Sequence, residues 1–89
     1  MNQDAVAETL VDSFRHVMTN RGLSLNAIAK ILGNTRSNLS RDMNRGQLGK
    51  ARIERLVRLA DAMGVSFVAV FAEKGREREV IEAAKKTFQ

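Results

Sequence analysis

A glycine between two short helical patterns constrains the fold of this chain more than any other feature. Gly33 lies near the middle of residues 24–45, SLNAIAKILGNTRSNLSRDMNR. A residue without a Cβ most easily adopts the left-handed backbone that ends a helix. Apolar residues recur at helical spacing on both sides of the glycine: Ile28, Ala29, Leu32, Leu39 and Met43. The sequence therefore predicts two short helices joined by a sharp turn.

Both predicted helices begin after a residue suited to capping. Ser24 precedes the first helix and Thr35 precedes the second, and a hydroxyl oxygen in this position accepts a hydrogen bond from a free N–H of the first turn. If the apolar residues of the second helix face the core, its polar side chains point outward. These outward residues are Arg36, Ser37, Asn38, Ser40 and Arg41.

This layout resembles the large helix-turn-helix family of phage repressors, Cro-like proteins and related bacterial regulators, often called the XRE family. The resemblance covers about residues 10–71. The matching motifs are GLS at 22–24, IA at 28–29, LG at 32–33, TRSNLSR at 35–41 and LADAMGVS at 59–66. The resemblance implies a small, mainly α-helical domain of four to five helices that binds duplex DNA. It also implies that Ala29 allows the two helices to approach, Gly33 makes the turn and Leu39 anchors the DNA-reading helix.

The distribution of charge agrees with a nucleic-acid partner. The chain has a net charge of +5, but residues 21–58 contain nine lysines or arginines and two acids, which gives +7 there and −2 for the remainder. Proteins that neutralise phosphates on one face have such a basic segment, although a charge run is often only a solvated surface. Modules for single-stranded RNA depend on exposed aromatic residues, and this chain has neither Trp nor Tyr. Duplex DNA is the better match.

Length and composition limit the other possibilities. A chain of 89 residues is long enough for one small domain and too short for two. Cysteine is absent, which excludes disulfides and thiolate metal sites and favours a reducing compartment. The acidic N-terminus is unlike a signal peptide, and no apolar run is long enough to span a bilayer. We therefore expect a cytoplasmic protein without a cofactor or metal and with no membrane partner.

The remaining helical patterns predict a scaffold around the two short helices. A first helix is predicted from about Ala5 to Asn20, with an apolar stripe of Val6, Leu10, Phe14, Val17 and Met18. His16, the only histidine, is interpreted as an ordinary residue of this helix's surface. Residues 44–50 are predicted to form a polar loop close to the DNA backbone. A further helix is predicted from about Ala51 to Met63, with inward-facing Ile53, Leu56, Val57, Ala60 and Met63.

The C-terminal part begins with an apolar run that has two interpretations. Every residue from Phe67 to Ala72 is apolar, so the run needs cover on all sides. We favour a β-strand over about residues 67–73 that pairs with its twofold mate in a homodimer. A fifth helix buried in the monomer is the alternative. The predicted dimer-interface residues are Phe67, Val68, Val70 and Phe71.

After this run, the sequence predicts a turn at Gly75 and a charged helix over roughly residues 77–87. Its apolar stripe consists of Val80, Ile81, Ala84 and Phe88. The chain thus divides into a DNA-binding unit, residues 1–66, whose reading unit is 24–45, and a dimerisation segment, residues 67–89, of the same compact unit.

The reading unit suggests separate roles for base and phosphate contacts. Arg36 and Arg41 suit guanine O6 and N7, and Asn38 suits adenine N6 and N7, with Ser37 and Ser40 assisting. The predicted phosphate contacts, which set register rather than specificity, are Ser24, Thr35, Arg45, Lys50 and Arg52. For the two hydroxyl residues in that list, capping alone is the favoured role.

Asp42 departs from this pattern, because an acid on the reading helix repels phosphate. The repulsion is avoided if Asp42 pairs with a neighbouring arginine such as Arg45, or if it accepts a hydrogen bond from cytosine N4. A pair of Asp42 with Arg36 or Arg41 would instead remove that arginine from base reading. The sequence leaves these alternatives open.

The leading functional prediction is a homodimeric regulator that reads a palindromic site in duplex DNA. The absence of a ligand domain favours a repressor of phage, plasmid or mobile-element type. The alternative is the DNA-binding antitoxin of a toxin–antitoxin pair, whose C-terminal segment from about Phe67 binds the toxin. Enzymatic activity is not predicted, because no catalytic combination of carboxylates, nucleophile and base, or phosphate-binding glycine loop is present.

Overall fold

The chain folds into a mainly α-helical structure. The structure is a computed structural model, and it describes residues 1–88, apart from the side chains of residues 45 and 46. The helices are α1 (Gln3–Arg21), α2 (Leu25–Leu32), α3 (Arg36–Asp42), α4 (Arg45–Leu48), α5 (Ile53–Ala62) and α6 (Glu77–Lys85). No β-strand occurs among the described residues. The prediction of a mainly helical domain is confirmed.

The turn between α2 and α3 has the predicted glycine geometry. Gly33 has φ 69°, in the left-handed region. The N–H of Asn34 donates to the carbonyl of Ala29 at 2.8 Å, and the N–H of Gly33 donates to the carbonyl of Lys30 at 3.2 Å. These two bonds satisfy carbonyls that the end of a helix leaves free. The same pair of bonds ends α1 at its glycine, residue 22, and α5 at residue 64.

Replacing Gly33 with alanine should therefore strain the backbone. A Cβ at this position would meet nothing within 4 Å, so we attribute the expected loss of about 1–2 kcal/mol of unfolding free energy to the left-handed conformation alone. Gly33→Asn is the matched control, because asparagine tolerates this conformation better. Urea unfolding followed by circular dichroism measures both. Equal stability of the two variants would argue against backbone strain as the cause.

The core forms where α1, α2, α3 and α5 meet. Its buried residues are Phe14, Val17, Ile28, Ala29, Leu39, Leu59 and Met63. Several partly buried residues pack against this cluster, including Leu32 and Met43. The residues on which the predicted two-helix unit depended are therefore core residues, as expected.

Parts of the two longer stripes were predicted wrongly. Val6 in α1 is 45% exposed, while Ala7 beside it is buried. In α5, Ile53 is 68% exposed and Val57 is 40% exposed. The buried residues of α5 and its C-cap are Leu56, Leu59, Ala60 and Met63, which follow the i, i+3, i+4, i+7 spacing of one helix face. The packed face of α5 is rotated relative to the predicted one. The hydrophobicity of its residues did not distinguish those at the centre of the packed face from those at its edge.

The predicted polar loop over residues 44–50 was also wrong in part, because it contains the short helix α4. Leu48 is buried, with 4% of its surface exposed, and α4 packs against α1. The Nε2 of Gln3 donates to the carbonyl of Gly49 at 3.1 Å. A single apolar residue thus anchors this stretch to the first helix.

The C-terminal helix has few contacts with the rest of the fold. None of its residues is buried, and Val80 and Ala84 of its predicted apolar stripe are exposed. Phe88 packs against the core, and its ring lies edge-on to the ring of His16 at a centroid distance of 5.6 Å. Describing His16 as a plain surface residue was therefore wrong. None of the helices in the described residues has the length and apolar character needed to cross a membrane.

Candidate nucleic-acid interface

Hydrogen bonds from side chains to backbone define the starts of α2 and α3. The Oγ of Ser24 accepts a hydrogen bond from the N–H of Ala27 at 3.1 Å. The Oγ1 of Thr35 accepts from the N–H of Asn38 at 3.2 Å. These contacts confirm the capping roles that the sequence predicted for both hydroxyl residues.

The outward face of α3 carries the polar residues that were predicted to read bases. Leu39 is 2% exposed and holds the helix against the core. The five predicted base-reading residues are all exposed: Arg36, Ser37, Asn38, Ser40 and Arg41. Burial of Leu39 directs its neighbours on α3 outward, because residues one or two positions from a buried residue lie on other faces of a helix. Arg36, three positions before Leu39, is also exposed.

Most of these outward side chains have no partner among the described residues. The Nη2 of Arg41 lies 3.5 Å from the Oδ1 of Asn38, at the long limit for a hydrogen bond. Within the described part of the chain, the side chains of Arg36, Ser37 and Ser40 make no hydrogen bond or ion pair. The donors and acceptors of this face are therefore free to bind an external ligand.

Asp42 has a partner that the sequence did not suggest. Its Oδ2 accepts a hydrogen bond from the Nη2 of Arg55, so an ion pair joins the end of α3 to the first turn of α5. The alternative in which Asp42 sequesters Arg36 or Arg41 is therefore wrong. The side chain of Arg45, the neighbour proposed from sequence, lies outside the described residues. Thirteen residues separate Asp42 from Arg55, and no local pattern predicts a contact over that separation.

Two predicted phosphate contacts lie beside this ion pair. Lys50 and Arg52 are exposed, and together with Asp42 and Arg55 they line an open cleft between α3, α4 and α5. Arg52 occupies the N-cap position of α5, but its side chain makes no capping bond. The structure thus brings the loop cations to the C-terminal end of α3. Arg36, at the other end of α3, does not line the cleft.

The apolar run after α5 forms neither of the predicted structures within the chain. No helix, turn or bend interrupts residues 65–73, so the buried fifth helix is wrong, and the run also lacks a strand partner in the described residues. We call residues 66–73 the linking segment. Val68, Val70 and Phe71 are 76%, 70% and 107% exposed, whereas Phe67 is half-buried.

The backbone of the linking segment is unpaired over most of its length. Across the structure that residues 1–88 describe, residues 66–72 make no hydrogen bond. Bonds resume only where the N–H of Arg76 donates to the carbonyl of Glu73 at 3.0 Å. The segment therefore combines free backbone donors and acceptors with exposed apolar side chains.

Comparison with known proteins adds no further assignment: no family model matches this chain, and neither the curated proteins nor the solved structures gave a match.

Proposed function

We propose that this chain is a homodimeric, sequence-specific DNA-binding regulator of the helix-turn-helix type. The observation that carries the proposal is the outward face of α3, which presents five exposed polar side chains on a helix anchored by Leu39. The major groove of B-DNA admits an α-helix, and its base edges offer partners for arginine and asparagine. In this assignment, Arg36 and Arg41 contact guanine, Asn38 contacts adenine, and Ser37 and Ser40 assist.

The basic residues next to α3 support the same assignment. Lys50 and Arg52 are exposed at the cleft beside the end of α3, and the segment from residue 21 to 58 has a net charge of +7. Contacts from such cations to phosphates fix the register of a protein on the duplex without reading its sequence. Arg45 has this role by sequence pattern alone. The hydroxyls of Ser24 and Thr35 can add phosphate contacts only in addition to their capping bonds.

Dimerisation is proposed through the linking segment. Seven of its residues make no hydrogen bond in the described structure, and Val68, Val70 and Phe71 expose their side chains. Pairing as strands with the same segment of a twofold mate would satisfy the backbone groups on the paired edge and place these side chains, together with Phe67, beside those of the mate. Two reading helices related by a dyad then contact half-sites about one helical turn apart.

The proposed regulatory effect is repression by occlusion of a promoter. The described residues form a reading unit with a C-terminal extension and no separate ligand-binding domain. The resemblance of the two-helix unit to phage repressors and Cro-like proteins is our reason for proposing a repressor of phage, plasmid or mobile-element type.

Selection from a random pool of duplex DNA tests the proposal. The protein should enrich an inverted repeat whose half-sites are about one helical turn, or roughly 34–36 Å, apart. The spacing would report the twofold geometry, and the enriched bases would report reading by α3. Recovery of no enriched sequence would contradict sequence-specific regulation.

Substitution of one arginine and one lysine separates the two kinds of contact. Arg41→Ala should weaken binding to the selected site by about 1–3 kcal/mol and relax discrimination at one base position. Lys50→Ala should weaken binding to all duplexes similarly and reduce the slope of log affinity against log salt by about 1. Titrations at several salt concentrations measure both effects. If both variants lose the same affinity on random DNA, the proposed division of labour is wrong.

The same linking segment supports a second candidate function, that of a DNA-binding antitoxin. An exposed, unpaired apolar segment can add a strand to another protein as well as to its own copy. In that case the segment binds a toxin protein encoded next to this gene. Co-expression of the adjacent gene, followed by purification of a stable complex that Val70→Lys disrupts, would favour the antitoxin.

A further inference from the structure

Asp42 occupies an unusual place in the charge pattern of the candidate interface. It is the only acid between residues 13 and 53, a stretch that contains eight lysines and arginines. It is also the last residue of α3, the helix whose outward face carries the proposed base contacts. A free carboxylate there would face the phosphates that the surrounding cations attract.

Both members of the Asp42–Arg55 ion pair lie at the less favourable end of their own helix. The C-terminal end of a helix carries partial negative charge, which disfavours the carboxylate of Asp42. The N-terminal end carries partial positive charge, which disfavours the guanidinium of Arg55 in the first turn of α5. The ion pair offsets the unfavourable interaction of each charge with its helix end. A carboxylate at the end of α3 is therefore compatible with a guanidinium at the start of α5.

The ion pair also constrains the orientation of α3. This helix has seven residues, one of them buried, and it packs chiefly against α2 and α4. Leu39 anchors its middle and the partly buried Met43, its C-cap, packs against the same core, but apolar contacts of this kind are non-directional. The contact of Asp42 with Arg55 ties the C-terminal end of α3 to α5.

We propose that Arg55 is a positioning residue for the DNA-reading helix, a role that rests on the function proposed above. Through Asp42, it holds α3 in the orientation needed to read bases. It also neutralises a carboxylate that would otherwise repel phosphate.

The exposure of the two side chains predicts which measurement detects the effect of the ion pair. The side chains are 59% exposed for Arg55 and 27% exposed for Asp42. Ion pairs as exposed as this contribute little to global stability. Arg55→Ala and Asp42→Asn should therefore leave the melting temperature nearly unchanged and alter discrimination between DNA sequences.

The test measures affinity for the duplex that the wild type selects and for a scrambled duplex of equal length. Arg55→Ala should lower the ratio of the two affinities by about two- to fivefold, the range that an exposed ion pair can supply, and also weaken binding to the scrambled duplex. Asp42→Asn should lower the ratio but strengthen binding to the scrambled duplex, since the released Arg55 can contact a phosphate. The salt slope of Asp42→Asn should become steeper by about 1.

The double variant separates positioning from neutralisation. Asp42→Asn with Arg55→Ala removes both charges, so affinity for the scrambled duplex should return close to that of the wild type while the ratio stays low. Two single variants are matched controls for the loss of one charge at exposed positions away from α3: Arg78→Ala and Asp61→Asn. Neither control should change the ratio.

Two outcomes distinguish failure of this inference from failure of the proposed function. If the wild type discriminates between the selected and scrambled duplexes, and Arg55→Ala and Asp42→Asn keep the wild-type ratio of affinities, Arg55 is not a positioning residue. If the wild type itself selects no sequence, the proposed function fails, and amide hydrogen exchange of the free protein decides whether the pair holds α3. If the α3 amides exchange faster in Arg55→Ala and Asp42→Asn than in the wild type, while the α1 amides are unchanged, the ion pair holds α3 in place. Unchanged exchange in both helices would overturn this inference.

Discussion

Val70→Lys is expected to convert the proposed dimer into a monomer and to lower its affinity for a palindromic duplex about 10²–10⁴-fold. The range is that gained when two linked modules bind two sites instead of one. The side chain of Val70 is 70% exposed and residues 66–72 make no hydrogen bond within the described part of the chain, so the substitution should leave the fold of one chain intact. A lysine on a strand edge opposes pairing with a second strand.

The control for this experiment is Ala83→Lys. Ala83 is exposed on α6 and its replacement adds the same positive charge outside the linking segment. An added lysine strengthens non-specific attraction to DNA, so a loss of affinity in Val70→Lys cannot be a charge effect. Sedimentation gives the oligomeric state and titration of the selected duplex gives the affinity. A dimer that persists in Val70→Lys would show that the linking segment is not the interface.

Ile28→Ala should lower the free energy of unfolding by about 2–5 kcal/mol, the usual cost of truncating a fully buried isoleucine. Ile28 is 0% exposed and lies in the core between the helices. The substitution removes contacts and leaves a cavity that its neighbours fill only partly. For a small domain, whose total stability is about 5–15 kcal/mol, such a loss is large.

Ile31→Ala provides a control with the same change of residue on the same helix. Ile31 is 63% exposed, so its truncation should change stability by about 0.5 kcal/mol or less. Urea unfolding of the two variants gives the comparison directly. Similar losses at the two positions would mean that the described packing of α2 is incorrect.

The two-helix unit was predictable because its determinants are local. Ser24 and Thr35 cap the helices that begin next to them. Gly33 ends α2, where its own N–H bonds the carbonyl three residues earlier and the N–H of Asn34 bonds the carbonyl five residues earlier. Leu39 faces the core because the other positions of α3 are polar. Each of these effects acts between residues that lie within about one or two helical turns of each other. It can therefore be predicted from the local sequence alone.

The packed face of α5 and the exposure of Val6 in α1 could be found only from the neighbouring elements. Val6 and Val57 are as hydrophobic as residues that are buried, and their spacing is compatible with an apolar stripe. They are exposed because the surfaces available for packing cover a different part of each helix. Burial therefore depends on which helix face meets another element, and hydrophobicity alone did not resolve this choice.

The linking segment shows a different limit. Its composition indicated that it needs cover, and the exposed Val68, Val70 and Phe71 agree with that requirement. The sequence also allowed a buried helix, because Phe67 to Ala72 has no periodicity that distinguishes the two structures. In the structure the segment runs instead from α5 to α6 with most of its large side chains exposed.

Local order thus specified the helix caps, the turn at Gly33 and the polar outward face of α3, since each depends on groups a few residues apart. The partner of Asp42 could be found only in the folded structure. Arg55 is thirteen residues away and meets Asp42 because the packing of the helices brings the end of α3 to the start of α5. The sequence showed an isolated acid in a basic segment but did not indicate its partner, which the tertiary structure supplies from another helix.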